Sequence, residues 1–164
     1  MTDINAVDFE LLAQQFDALT EGEADRLANS ANFVALLANA MPDTNWTGIY
    51  VMRDGQLVLG PFQGNPGCVR IPLGKGVCGV AARQRKTQRV ADVHAFSGHI
   101  ACDPLSAAEL VVPLMAGNEV IGVLDIDSPS VNRFSERDQR GVELLCRAFV
   151  ARLQSDGPLT LPFI

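Results

Sequence analysis

Two pairs of strand-like segments, each joined by a two-residue turn, constrain the fold of this chain more than any other feature. Trp46–Met52 is followed by Asp54-Gly55 and then by the apolar segment "QLVLGPF". Further along, "ELVVPLMA" and "EVIGVLDID" flank Gly117-Asn118. Dipeptides of this kind tolerate the positive φ angles that tight hairpin turns require. The sequence therefore predicts two β-hairpins and a mostly antiparallel sheet.

Shorter elements are predicted between the two hairpins. "CVRIPL" is typical of a strand, and it follows the turn sequence "GNPG". "GKGVCGVAARQ" predicts a short helix after a glycine-rich start, and residues 91–108 form a long polar connection. Pro113 has no N–H to donate to a neighbouring strand, so it predicts an edge or bulged position in the second hairpin.

Helices are predicted on both sides of this central region. Thr20 to Glu23 fits the T-x-x-E pattern of a capping box and predicts the start of a second helix that stops before Pro42. Ser135 is predicted to cap the last helix. The expected organisation is a single α+β domain over 1–164, with N-terminal helices in 1–42, the sheet and its loops in 45–128, and a C-terminal helix in 135–154.

The composition argues against nucleic acid as a partner and against a membrane span. The formal net charge is −6, and an acidic surface repels phosphate backbones, which argues against nucleic acid. No apolar segment approaches the ~20 residues that a membrane span requires. The first residues lack a basic region followed by an apolar core, so no signal peptide is predicted. We therefore expect a cytoplasmic protein.

The chain has four cysteines, and no two of them form a C-x-x-C pair. This spacing argues against a closed zinc site, and in a reducing compartment any disulfide is expected to be transient and catalytic. Cys146 falls on the apolar face of the last helix and is expected in the core. Cys78 stands at the predicted start of a helix, where backbone amides are expected to lower its pKa. Cys68 is either an inward-facing strand residue or a redox partner.

The polar stretch "HAFSGHIACD" raises a separate question. It contains His94 and His99, the two histidines of the chain, together with Cys102 and Asp103. Cys102 has no hydrophobic periodicity around it, so it is a candidate nucleophile. A metal site built from the two histidines and Cys102 is an alternative.

Acidic and aromatic side chains form a second constellation. Asp125 and Asp127 are two residues apart on a strand, so both point to one face of the sheet, and Glu109 in the preceding strand can join them. Like charges this close raise at least one pKa, which suits a general acid. Trp46 and Tyr50 also share one face of their strand and belong either to the core or to the wall of a small pocket.

Five stretches of the chain together resemble one family. From about Asn45 to Ser128 the sequence is similar to the free methionine-(R)-sulfoxide reductases, which are single GAF-type domains; the similar stretches are "NWTGIYV", "LVLGPFQGNPGCVRIPLGKGVCGVAA", "DVHAFSGHIACD", "SAAELVVPL" and "IGVLDIDS". The resemblance implies a GAF-like fold and reduction of the free amino acid's sulfoxide. It also implies thioredoxin as the external reductant, with no bound cofactor or metal, and a homodimer.

The resemblance also implies a role for each site residue. Cys102 corresponds to the family's catalytic cysteine, Cys68 to its resolving cysteine and Cys78 to an auxiliary thiol. The remaining matches are substrate-binding residues: the acidic side chains Glu109, Asp125 and Asp127, and the aromatic wall Trp46 and Tyr50. Two other functions stay open, namely a non-catalytic GAF module that senses a small molecule or redox state, and a metal-dependent hydrolase using His94, His99 and Cys102.

Overall fold

The computed structural model describes residues 6–164, so Met1–Asn5 of the predicted 1–42 segment lie outside the described residues. Within 6–164 the chain forms four α-helices, six β-strands and one short 3-10 helix. In chain order these are α1 (Phe9–Leu19), α2 (Arg26–Ala40), β1 (Trp46–Arg53), β2 (Gln56–Gly64), β3 (Arg70–Pro72), α3 (Gly76–Gln84), β4 (Gln88–Val90), the 3-10 helix (Val93–Ala95), β5 (Ala108–Ala116), β6 (Glu119–Ser128) and α4 (Glu136–Gln154).

The six strands form one antiparallel sheet in the order β3-β2-β1-β6-β5-β4. Both predicted hairpins are present: β1 pairs with β2, and β5 pairs with β6. Asp54 and Gly55 have φ angles of 51° and 76°, the left-handed conformation expected of such a turn. The predicted α+β class with a mostly antiparallel sheet is confirmed.

The two faces of the sheet carry different layers. Helices α1, α2 and α4 bury one face, where the ring of Phe33 stacks on that of Phe149 at 4.4 Å and contacts Phe16 edge-on at 5.2 Å. Cys146 is buried in this layer, as its helical spacing predicted. The short helix α3 covers only part of the other face, together with the loops. The thinner layer on that side leaves room for a cavity.

Helix ends follow the local capping groups, and one of them differs from the prediction. Thr20 ends α1 by donating its hydroxyl to the Phe16 carbonyl at 2.9 Å, so the predicted capping box at Thr20–Glu23 is wrong. Helix α2 starts at Arg26, where the carboxylate of Asp25 accepts a hydrogen bond from the Ala28 amide. Gly22, at φ 75°, turns the chain between the two helices, and aspartate is among the strongest N-caps. The predicted cap at Ser135 is confirmed.

Strand β4 is short, and this explains the position of Pro113. It pairs only with Glu109 to Val111, so Pro113 has no strand on its outer side, and a bulge follows between Leu114 and Met115. The predicted edge or bulged position is confirmed. Among the helices of residues 6–164, none is both long and apolar enough to cross a membrane.

Candidate active site

Three carboxyl groups meet in a small cavity on the α3 side of the sheet. Asp125 and Asp127 point to the same face of β6, as their spacing predicted, and Glu109 lies directly opposite Asp127 in β5. All three side chains are buried. Helix α3 and the loop of residues 91–107 (the 91–107 loop) close the cavity, which offers about 20 Å³ to the centres of water molecules. That is room for about one water molecule.

A disulfide between Cys68 and Cys102 stands at this cavity. Their Cα atoms are 5.3 Å apart, and the bond ties the 91–107 loop to the segment that precedes β3. Cys102 belongs to the cavity wall, whereas Cys68 packs from outside against the hydrophobic cluster around α3. Of the two sulfur-bearing residues, therefore, only Cys102 faces the acidic side chains.

The position of Cys102 is held through its neighbour, Asp103. The buried Asp103 carboxylate accepts hydrogen bonds from the Leu105 amide at 2.9 Å and from the side-chain amides of Asn45 and Asn65, both at 3.3 Å. The two asparagines lie just before β1 and just after β2. Sequence reasoning missed both of them; the one available signal was that Asn65 belongs to the "GNPG" turn.

Cys78 is not an activated thiol in this structure. Its sulfur is buried, 3.2 Å from Asp125 Oδ2 and 3.9 Å from Glu109 Oε1. Burial, and next to it the charge of Asp125, raises the pKa of Cys78 well above its ordinary value. The expectation that the start of α3 lowers this pKa is wrong, because desolvation and two nearby carboxyl groups outweigh a helix terminus. The thiol instead donates a hydrogen bond to Asp125.

The same environment raises the pKa of the three acidic side chains. Burial is the largest cause that raises the pKa of Glu109, Asp125 and Asp127 well above the ordinary carboxyl range, and in each case a neighbouring acid adds to it. The residues that line the cavity include no lysine or arginine. Carboxyl groups held in this way keep a proton at higher pH than exposed ones, as a general acid requires.

The two histidines have different positions. His99 lines the cavity, with its Nε2 atom 3.7 Å from Glu109 Oε2, and burial lowers its pKa. His94 is exposed in the 3-10 helix. Among residues 6–164, one group of three potential metal ligands has its donor atoms within 4.8 Å of one another. It consists of Cys78, Glu109 and Asp125. The metal set considered from the sequence, His94, His99 and Cys102, is therefore not the one that the fold assembles.

Trp46 and Tyr50 lie beside the cavity rather than in its wall. They share one face of β1, as predicted, and their rings stack with centroids 5.7 Å apart. Phe62 stacks on the other side of Trp46 at 5.4 Å, a contact that the sequence did not reveal. Gly48 makes this arrangement possible, since a Cβ atom there would come within 2.4 Å of the indole ring.

Asp125 provides a test of the buried acid cluster. Its pKa is raised in the folded state, so its contribution to stability is complete below the unfolded pKa of about 3.9 and is lost as pH rises through the folded pKa. Asp125→Asn cannot lose a proton. We therefore expect the free energy of unfolding of the Asp125→Asn variant to increase relative to that of the wild type as pH rises above about 4, by up to about 1.4 kcal/mol per pH unit.

Urea denaturation of both disulfide-intact proteins at a series of pH values measures this gap. Asp17→Asn, on the exposed side of α1, is the matched control. A gap for Asp125→Asn that stays constant with pH, or narrows as pH rises, would contradict the raised pKa.

Comparisons with known proteins identify the family of this chain. Residues 31–153 match the GAF domain family. The free methionine-R-sulfoxide reductase of Escherichia coli is 50% identical over 143 residues, which cover 87% of this chain and 84% of that protein. The reduced form of fRMsr of Staphylococcus aureus superposes with a TM-score of 0.87 at 46% identity, covering 93% of this chain and 99% of that one.

A further solved structure is the free methionine-R-sulfoxide reductase of Neisseria meningitidis in complex with its substrate. It has a TM-score of 0.87 at 38% identity and covers 94% of this chain and 92% of that one. The family match spans more than half of the chain, and the E. coli relative exceeds 30% identity over most of it. This chain therefore belongs to the GAF domain family and, within it, to the free methionine-R-sulfoxide reductases.

Proposed function

We propose that this protein reduces free L-methionine-(R)-sulfoxide to methionine through cysteine chemistry. The observation that carries the proposal is the Cys68–Cys102 disulfide, whose Cys102 end faces three buried carboxyl groups. A disulfide in that position is the product expected after an attacking thiol and a resolving thiol have completed one turnover. The names of the Escherichia coli and Neisseria meningitidis relatives supply the substrate.

In the first proposed step the Cys102 thiolate attacks the sulfur of the sulfoxide. A protonated carboxyl group of the cavity delivers a proton to the sulfoxide oxygen as a bond forms between the Cys102 sulfur and the substrate sulfur. The hydroxyl group then passes to the Cys102 sulfur: the substrate S–O bond and the S–S bond break, the Cys102 S–O bond forms, methionine leaves, and Cys102 is a sulfenic acid. The cysteine sulfur is oxidised by two electrons, and the substrate sulfur is reduced by two.

In the second step the Cys68 thiolate attacks the Cys102 sulfur. The S–O bond breaks, the hydroxyl group takes up one proton and leaves as water, and the disulfide forms. The dithiol of thioredoxin then reduces the bridge by thiol–disulfide exchange and is itself oxidised. Thioredoxin and a homodimer belong to this proposal on the strength of the family resemblance, and a cytoplasmic location belongs to it on the strength of the sequence features described above.

The acidic side chains also account for a preference for the free amino acid. A free amino acid has an ammonium group, whereas a methionine residue inside a peptide has none. We assign Asp125 and Asp127 to the ammonium group or to the transferred proton, with Glu109 assisting. Trp46 and Tyr50 are assigned to the substrate methyl group, because aromatic rings offer it an apolar contact.

The small volume of the cavity bears on the order of two steps, substrate binding and reduction of the disulfide. At about 20 Å³, the oxidised cavity is too small for methionine sulfoxide. Cys102 and its neighbour Ile100 both line it, and the disulfide holds their loop over the acids. Substrate binding therefore follows reduction of the bridge, which frees the 91–107 loop.

NADPH consumption with thioredoxin and thioredoxin reductase tests the proposal. We expect steady turnover of free methionine-R-sulfoxide and at least about tenfold slower turnover of both the S epimer and a peptide-bound sulfoxide. Binding of the free sulfoxide with no release of methionine would contradict the proposal. That result would favour the sensor alternative, in which the Cys68–Cys102 bridge is a switch.

A further inference from the structure

The proposed chemistry leaves one property of the cavity without a function: its donor atoms are arranged as a metal site. Cys78 Sγ, one oxygen of Glu109 and one oxygen of Asp125 all lie within 4.8 Å of one another. Thiolate and carboxylate are both ligand types that Zn²⁺ uses in proteins.

The sulfur–oxygen separations are close to those around a tetrahedral ion. Zn–S bonds of about 2.3 Å and Zn–O bonds of about 2.0 Å place a tetrahedral sulfur and oxygen about 3.5 Å apart. In the structure the Cys78 sulfur is 3.2 Å from Asp125 Oδ2 and 3.9 Å from Glu109 Oε1. Each separation is within about half an ångström of that value.

A second observation indicates that Asp125 can accept a cation. Asp125 is 6% exposed, and its buried Oδ1 atom receives no hydrogen bond from an N–H or hydroxyl group in the described part of the chain, so its partner is either a proton shared with a neighbouring acid or a cation. Buried carboxyl oxygens are normally hydrogen-bonded or bound to a cation. The Asp125 side chain lines the cavity, so the unpartnered group lies where an ion would be held.

We propose that this cavity binds one Zn²⁺, with Cys78, Glu109 and Asp125 as ligands and a water molecule in the fourth position, and that the ion inhibits the enzyme. Binding releases the proton of the Cys78 thiol, since zinc takes the thiolate. Inhibition rests on the proposed function, because the ion occupies the carboxyl groups assigned to the substrate ammonium and to the proton. The binding itself does not rest on it.

The disulfide makes a direct binding test possible. In the oxidised protein Cys68 and Cys102 are bonded to each other, so Cys78 and Cys146 are the two remaining thiols. Titrating oxidised protein with Co²⁺, which replaces Zn²⁺ and gives a thiolate charge-transfer band, should show this band at one equivalent per chain. Zn²⁺ should then bleach it, because zinc binds such sites more tightly than cobalt.

Matched variants assign the ligands. The band should persist in Cys146→Ala and disappear in Cys78→Ser, while Asp125→Asn and Glu109→Gln should each weaken Co²⁺ binding at least about tenfold. Absence of the band in the oxidised wild type would overturn the site without the use of any variant. A band that persists in Cys78→Ser, or unchanged affinity in Asp125→Asn, would overturn it as well.

Inhibition is measured separately. Zn²⁺ added to the reduced wild type in the NADPH assay should raise the apparent KM for methionine-R-sulfoxide, and a Zn²⁺ chelator should restore it. Thioredoxin reduction of an unrelated disulfide substrate is the control for effects of zinc on the coupling enzymes. Undiminished turnover at a Zn²⁺ concentration that saturates the spectroscopic site would overturn the inhibitory role. A protein that binds Co²⁺ but reduces no sulfoxide would contradict the proposed function and leave the metal site supported.

Discussion

Cys102→Ser should reduce kcat/KM for free methionine-R-sulfoxide at least about 1,000-fold, which corresponds to more than about 4 kcal/mol of transition-state stabilisation. A serine hydroxyl has the size of the thiol, but it is not ionised near neutral pH and does not reduce a sulfoxide. Cys102 is the disulfide partner that lines the same cavity as Glu109, Asp125 and Asp127. The other sulfur in the cavity wall belongs to Cys78, whose raised pKa keeps it from replacing Cys102 as a thiolate. The NADPH assay measures the loss.

Loss of the disulfide is a side effect of this substitution, and Cys68→Ser controls for it. Both variants lack the bridge, so a defect that comes only from the missing bridge would be the same in the two proteins. We expect Cys102→Ser to release no methionine, even with dithiothreitol as the reductant. Substantial turnover in Cys102→Ser would exclude it as the nucleophile.

Cys68→Ser should release about one equivalent of methionine per chain and then stop when thioredoxin is the reductant. The Cys102 sulfenic acid still forms, but no disulfide follows for thioredoxin to reduce. Rapid quench and quantification of methionine measure the single turnover. Dithiothreitol should restore repeated turnover, because a small thiol attacks the sulfenic acid directly.

The cavity also holds a second candidate for the resolving role. Cys78 lines the same wall, but burial and Asp125 raise its pKa, so little of it is thiolate, the form that attacks. We therefore expect Cys78→Ser to retain repeated turnover with thioredoxin. Unimpaired repeated turnover in Cys68→Ser would contradict the assignment of Cys68 and indicate Cys78 instead.

Features encoded in a few consecutive residues were predictable from the sequence. The Asp54-Gly55 and Gly117-Asn118 turns were enough to predict the hairpins, and the two-residue spacing of Asp125 and Asp127 was enough to place them on one face. The Ser135 cap was predictable for the same reason, since its partner Asp138 is three residues away. The assignment of Cys102 ahead of Cys78 came from the family resemblance and not from local electrostatics.

Features that depend on packing were not predictable. The environment of Cys78 is set by Glu109 and Asp125, which lie 31 and 47 residues further along the chain. The bonds from Asn45 and Asn65 to Asp103 likewise join three separate segments. Strand β4 has three residues, too few to show an alternating pattern.

The Cys68–Cys102 bond also affects the unfolded chain. It closes a loop with a sequence separation of 34, and the entropy that such a crosslink removes from the unfolded state corresponds to about 3–4 kcal/mol. The proposed catalytic cycle therefore also changes the conformational stability of the chain. The oxidised protein is the form that best resists unfolding, and in the proposed cycle each reduction of the bridge returns the chain to its less stable form at the moment when it becomes able to accept substrate.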